Sequence, residues 1–260
     1  MSVPALLPSA ALVVLLAAVA ADLLSCARGR APARHDLPVA GAGVIAALLV
    51  AAGLGLAAPT QAVPFLAAWG SAIGMTVDLV VVLVVLSFRV PEAKRLVVLA
   101  VAATACARVV LVATGVGPTA GLSWVFGLLV LWLAWRLVQH GDSGLPEAGV
   151  LTVGMIPAAV VFAAFAVSAT GGGSVLVLCA NLLALIGAVR LVRLTARLCG
   201  SVPDASVGFS VVLVFIGVRS VLAGVAGRGP AQDLEGMLLS LAMTALVAVL
   251  LTITAVRERR

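Results

Sequence analysis

Tyrosine is absent from this chain, only 10% of its 260 residues are charged, and Asp and Glu together number 10. A soluble domain carries about 25% charged residues, so this scarcity excludes an ordinary water-soluble globule. The four cysteines, Cys26, Cys106, Cys179 and Cys199, show no Cys-x-x-Cys spacing. They read as small apolar residues in helices, not as a zinc site or disulfide framework. The two histidines, His35 and His140, fall between apolar runs without partner spacing. No DDxxD, HExxH, GxSxG or Walker A pattern occurs, and no pair of carboxylates sits within the apolar runs to activate water. An enzyme is not expected, and neither is a resident cofactor.

What the chain does have is apolar length. It is 63% hydrophobic, with a mean hydropathy of +1.28. Windows of about 19 residues give about nine membrane spans, near 5–25, 39–58, 64–88, 96–115, 120–138, 149–169, 174–194, 205–225 and 236–256. The gaps leave no room for a soluble domain, so residues 1–260 read as a single integral membrane domain. The Ala, Val, Leu, Gly and Arg bias suggests a high-GC bacterial genome.

The pI of about 10.4 resembles a nucleic-acid signal, but its distribution excludes that reading. Arg28, Arg30, Arg34, Arg89, Lys94, Arg95, Arg136, Arg190, Arg193, Arg197, Arg257, Arg259 and Arg260 fall at alternate ends of the spans, and the opposite connectors carry only Arg228. By the positive-inside rule the first group is cytoplasmic. This predicts an N-terminus outside, a C-terminus inside and an odd number of spans. The first run lacks a basic leading segment, which favours an outside-to-inside anchor over a signal peptide.

Charges at depth recur with a period. Asp78, Arg108 and Arg136 are 30 and 28 residues apart, and Arg190 and Arg219 are 29 apart. Val125-Phe126-Gly127-Leu128 through Trp135-Arg136 also rhymes with Val214-Phe215-Ile216-Gly217-Val218-Arg219. Counting back from Arg190 makes Phe162 the equivalent of Asp78. Spans three to five and six to eight then form two three-helix copies. Three is odd, so the copies must be inverted, as in many transporters whose site lies where the repeats meet.

Asp78 is the informative residue. From Pro64 to Phe88 it is the lone ionisable group, and a charge at bilayer depth costs at least roughly 2.5–3.5 kcal/mol. Gly70, Gly74 and Asp78 share one helix face, a small-residue seam that admits another helix closely. Ala100, Thr104 and Arg108 form a matching face on the next span. Arg108 is a candidate electrostatic organiser of Asp78, either pairing with it or holding it charged beside a metal ion. Asn181 is a second candidate metal ligand through its amide oxygen, with hydrogen bonding to a neighbouring helix as the alternative. Asp22 reads as a helix-end carboxylate, and Met75, Thr76, Ser168 and Thr170 as weak neutral ligands.

These residues resemble the TerC family of bacterial integral membrane proteins over nearly the whole chain. Thr76-Val77-Asp78 is similar to its membrane Asp preceded by Ser-Leu or Ser-Val. Phe88-Arg89-Val90-Pro91 with Lys94-Arg95 is similar to its Phe-x-Val-Pro and basic cluster. Arg108 with Thr114-Gly115 matches an Arg preceding Thr-Gly. Leu213-Val214-Phe215-Ile216-Gly217-Val218-Arg219 resembles its late Leu-Val-Phe-Ile-Gly-x-Lys motif most specifically. Ala21-Asp22-Leu23-Leu24 before a basic loop is similar too. The resemblance implies divalent metal handling, chiefly manganese export or homeostasis, a link to tellurium resistance, and a cation path lined by acids from both repeats.

The chain departs from that pattern. Leu79 replaces an Asn, Ile73 an acid, and Phe162-Ala163 an Asp-Ser pair. Two more acidic positions fall near Val153 and Ile156. Asn181 fits a Ser-Asn position, but Val189 stands where its Arg is expected, one residue before Arg190. A divalent ion in a low-dielectric site usually wants two or more carboxylates. A site with one formal charge suits a monovalent ion, a proton or a weakly held divalent ion.

The expectation is an all-α, polytopic transmembrane bundle of the bacterial cytoplasmic membrane, with lipid and a metal ion as partners. Its function would be transport or homeostasis of a manganese-like divalent cation. The alternative is a non-transporting accessory or structural protein, partnered by another membrane protein or by its own copies. Reporter fusions test the topology: a fusion at Gly141 is predicted to report inside and one at Gly172 outside. Both on one side would sink it.

Overall fold

A hydrocarbon interior offers no water to backbone N–H and C=O groups, so a chain this apolar must satisfy them within helices. The computed structural model describes residues 3–28, 35–87, 93–114, 121–140, 156–165, 175–199 and 205–225, and among these every regular element is an α-helix. In chain order they are α1 (Val3–Ala27), α2 (Asp36–Ala57), α3 (Pro59–Ser87), α4 (Ala93–Thr114), α5 (Gly121–His140), α6 (Ile156–Phe165), α7 (Val175–Leu185), α8 (Ala188–Cys199) and α9 (Ala205–Val225). They fall where the first eight runs were expected. The ninth run (236–256), most of the sixth, Val153, Ser168 and Thr170 lie outside the described residues.

Among the described residues, three stretches are long and apolar enough to cross a membrane: Asp36–Ala57, Pro59–Val85 and Val175–Arg197. The protein is therefore membrane-like and helical. A single residue, Ala58, joins α2 to α3; its N–H donates to the Leu54 carbonyl (2.7 Å) and its own carbonyl accepts from Gln61 (2.9 Å). Pro59 opens α3, where its missing N–H costs nothing.

The seventh run, expected as one uninterrupted helix, is broken. Ile186 N–H donates to Leu183 O (3.3 Å), a tightened last turn of α7, and α8 restarts with Leu191 N–H on Gly187 O (2.8 Å). Gly187 has φ +81°, and a Cβ there would sit 2.6 Å from Ala40 Cα. Only glycine fits both the left-handed backbone and the close approach of α2.

Packing places α3 and the α7–α8 stretch in the interior, each mostly buried, while α2 is mostly exposed. Helix α3 packs chiefly on α7, then equally on α2 and α8, while α4 packs on α6 and α5 on α9. Lighter contacts join α9 to α3 and α5 to α6. One core cluster draws Met75, Leu79, Leu83, Val101, Val130, Leu182 and Leu213 from five helices. A smaller one joins Ala47, Phe65, Ala68, Ala180 and Leu183 from α2, α3 and α7. Exposed Leu48, Leu49 and Leu56 leave α2 an apolar outer face, as lipid contact requires.

The α5–α9 seam is the tightest. A Cβ on Gly127 would lie 2.7 Å from Gly217 O, one on Gly217 2.6 Å from Leu131 Cγ, and one on Gly224 2.7 Å from Trp124 N. Position 124 faces 224 while 127 and 131 face 217, so the two helices run antiparallel. Small residues here let backbones touch. Gly127→Leu is expected to lower stability by about 1–3 kcal/mol or more through overpacking, read as an earlier thermal midpoint in detergent. Gly53→Ala, where a Cβ meets nothing within 4 Å, should leave the midpoint unchanged or raised.

Candidate functional site

Asp78 lies in the interior part of α3 and is fully buried. Its Oδ2 accepts a hydrogen bond from Nη2 of Arg219, on α9. That ion pair joins two elements that otherwise touch lightly. Arg219 entered the sequence reading only as a repeat marker and the end of a motif. The signal that could have found it is depth, since it is a cation deep within α9 that needs a counter-charge.

Arg108 is fully buried on α4. Its Nη1 donates to Thr76 Oγ1 (3.3 Å) and its Nη2 to Ala72 O (3.5 Å). The Ala100–Thr104–Arg108 face of α4 therefore does turn to α3. Thr76 Oγ1 also donates back to Ala72 O (2.8 Å), as Thr104 Oγ1 does to Ala100 O (2.8 Å). These hydroxyls are spent on their own helix carbonyls, although Thr76 also accepts from the guanidinium. Arg108 thus reaches the Ala72–Thr76 turn of α3, which lies just before Asp78.

Asn181 on α7 is 1% exposed. Its Nδ2 donates to Val177 O (2.8 Å), while its Oδ1 has no hydrogen-bond partner. A buried amide oxygen left unmatched is unusual and calls for a ligand or a functional explanation. Met75 is buried on α3. Among the described residues no group of three or more His, Cys, Asp and Glu side chains could hold a metal ion. Phe162, the repeat equivalent of Asp78, lies on α6.

A second charged cluster gathers the C-terminal end of α1, the start of α2 and α8. Arg190, Arg193 and Arg197, spaced three and four apart, share one face of α8. Asp22 accepts from Arg190 Nε (2.5 Å) and from the Gly187 N–H (3.3 Å), so it holds the helix break. Arg190 Nη2 also reaches Ser25 Oγ (3.2 Å). Asp36, fully buried, sits 2.6 Å from Arg193, 3.6 Å from Arg197 and 3.8 Å from Arg190. Asp36 precedes the apolar run at 39–58 and carries no motif or spacing in the sequence that marks it.

The chain matches no protein-family model, no curated protein and no solved structure. No family is shown. The resemblance to TerC proteins rests on the motif residues alone.

Removing one partner of a buried ion pair costs about 3–5 kcal/mol, whereas a half-exposed pair contributes about 0–1 kcal/mol. Asp36→Ala is therefore expected to destabilise far more than Arg197→Ala, whose side chain is 52% exposed. Equal midpoint shifts would show that the cluster is not a structural clasp.

Proposed function

We propose that the chain is a polytopic protein of the bacterial cytoplasmic membrane, TerC-like in type, that transports or balances a manganese-like cation. The carrying observation is Asp78, a fully buried carboxylate in the interior of α3, a helix mostly enclosed by its neighbours. Such a group is costly at bilayer depth and marks ion paths more often than lipid-facing surface. Asp78 would be the charged ligand, and the unmatched Oδ1 of Asn181 a neutral one from the helix packed on α3. Arg108, donating to the Thr76 turn of α3, would organise the field at the site. The metal ion is cargo in this reading, not a resident cofactor.

The helix pairing supports inverted repeats. Exchange α3, α4 and α5 for α6, α7–α8 and α9, and the α3–α7 contact becomes α6–α4. The α9–α3 contact becomes α5–α6, and α5–α9 maps on itself. All of these are observed packing pairs. The antiparallel course of α5 and α9 is what inversion demands of the two third helices. A direct repeat would make them parallel.

The nine-span topology, with the N-terminus outside and the C-terminus inside, belongs to the same proposal. Support comes from Arg190, Arg193 and Arg197 gathering with the end of α1 and the start of α2, as one cytoplasmic face would have it.

A non-transporting accessory role is the second reading. It is favoured by Arg219, which already neutralises Asp78. Cellular manganese separates the two. Cells expressing the wild type should show altered manganese accumulation or efflux, and Asp78→Asn should abolish the difference. Unchanged metal levels with the wild type would remove the transport reading and leave the accessory one.

A further inference from the structure

We propose that Arg219 is a tethered counter-cation: it occupies the Asp78 carboxylate when no ion is bound and must withdraw before an ion can take its place. This rests on the reading of Asp78 as a cation ligand and adds how that site is gated.

Geometry motivates it. Asp78 and Arg219 stand on helices that belong to different packing partnerships. Helix α3 is bound to α7 and α8, and α9 to α5. The α5–α9 seam is locked by Gly127, Gly217 and Gly224, where not even a methyl group fits, so these two helices must move together. By contrast α9 meets α3 lightly, and the ion pair crosses that light contact. A charged pair across a weakly packed joint is the clasp whose release lets one body shift against the other. Rocking of one bundle on another is how inverted-repeat transporters alternate access.

Charge supports the same assignment. A cation arriving at Asp78 meets a carboxylate already neutralised and a guanidinium that repels it. Both cannot hold the one carboxylate at full strength, so binding is an exchange. Arg219 also has somewhere to go. Its side chain is 15% exposed against 1% for Asp78, and an arginine stem can swing its head along its own helix while its methylenes stay covered.

Manganese binding to the purified full-length protein, followed by the paramagnetic signal of free Mn²⁺, tests the exchange. Arg219→Gln should bind Mn²⁺ at least about tenfold more tightly than the wild type, and Arg219→Lys should stay near wild type because it keeps the charge. Asp78→Asn and the double variant Asp78→Asn/Arg219→Gln should lose binding together. If Arg219→Gln binds no more tightly while wild-type binding still needs Asp78, the counter-cation role is overturned and the ligand reading survives. Absence of Asp78-dependent binding in every protein would remove both. A measurement on the unsubstituted chain guards against a variant that fails to fold. Mn²⁺ should raise hydrogen exchange in residues 205–225 of the wild type, and no change there under saturating Mn²⁺ would also overturn the proposal.

Discussion

A charge or an unmatched polar group in a low-dielectric interior is expensive, and the described structure is organised by how that cost is met. Backbone groups disappear into helices. Hydroxyls of Thr76 and Thr104 fold back on carbonyls one turn earlier. Among the described residues, the two buried carboxylates and the part-buried Asp22 each face a guanidinium from another helix: Asp78 meets Arg219, Asp36 meets Arg193, and Asp22 meets Arg190. With lipid as apolar as leucine, these pairs and the close glycine contacts supply orientation that hydrophobic burial alone cannot.

The two charged layers differ in kind. At the α1–α2–α8 end, Asp22 and Asp36 are surrounded by three arginines and a backbone N–H, and two of those arginines are themselves largely covered. Redundancy of this sort makes a clasp, because no single side-chain movement frees either carboxylate. It also explains the helix break. Gly187 turns its N–H out of the helical ladder toward Asp22, and Ala40 of α2 fills the space a side chain would need. In the interior, the Asp78–Arg219 pair bridges α3 and α9, which otherwise touch lightly.

Much of the helical layout was legible from hydropathy, because apolar length in a lipid solvent leaves the chain little choice. Asp78, Arg108 and Asn181 stood out for the same reason, and all three are buried. Their partners were not legible. Asp78 lies 141 residues from Arg219, and Asp22 168 from Arg190. Such pairings depend on how helices pack, which one sequence does not encode locally. The Gly187 break was hidden as well: a glycine in an apolar run is common in membranes, and only the approach of Ala40 gives this one a purpose. Asp36 was not legible either, because a carboxylate opening a helix is favourable in its own right and does not by itself point to buried partners.

Whether the interior pair is a strut or a lock turns on where it lies. A strut belongs inside a seam that apolar packing already holds, where separating the charges would also tear the core. The α5–α9 seam is such a place, yet its contact is made by glycines and carbonyls with no described ion pair. The Asp78–Arg219 pair instead crosses a joint packed far more lightly than the α5–α9 seam. An interaction that is strong when formed, but costs little neighbouring contact when broken, can hold two arrangements close in free energy. Two-state elements require that balance, and differential ligand contact can only bias it. A cation that competes for Asp78 has such a differential contact, since it gains only in the arrangement where Arg219 has left.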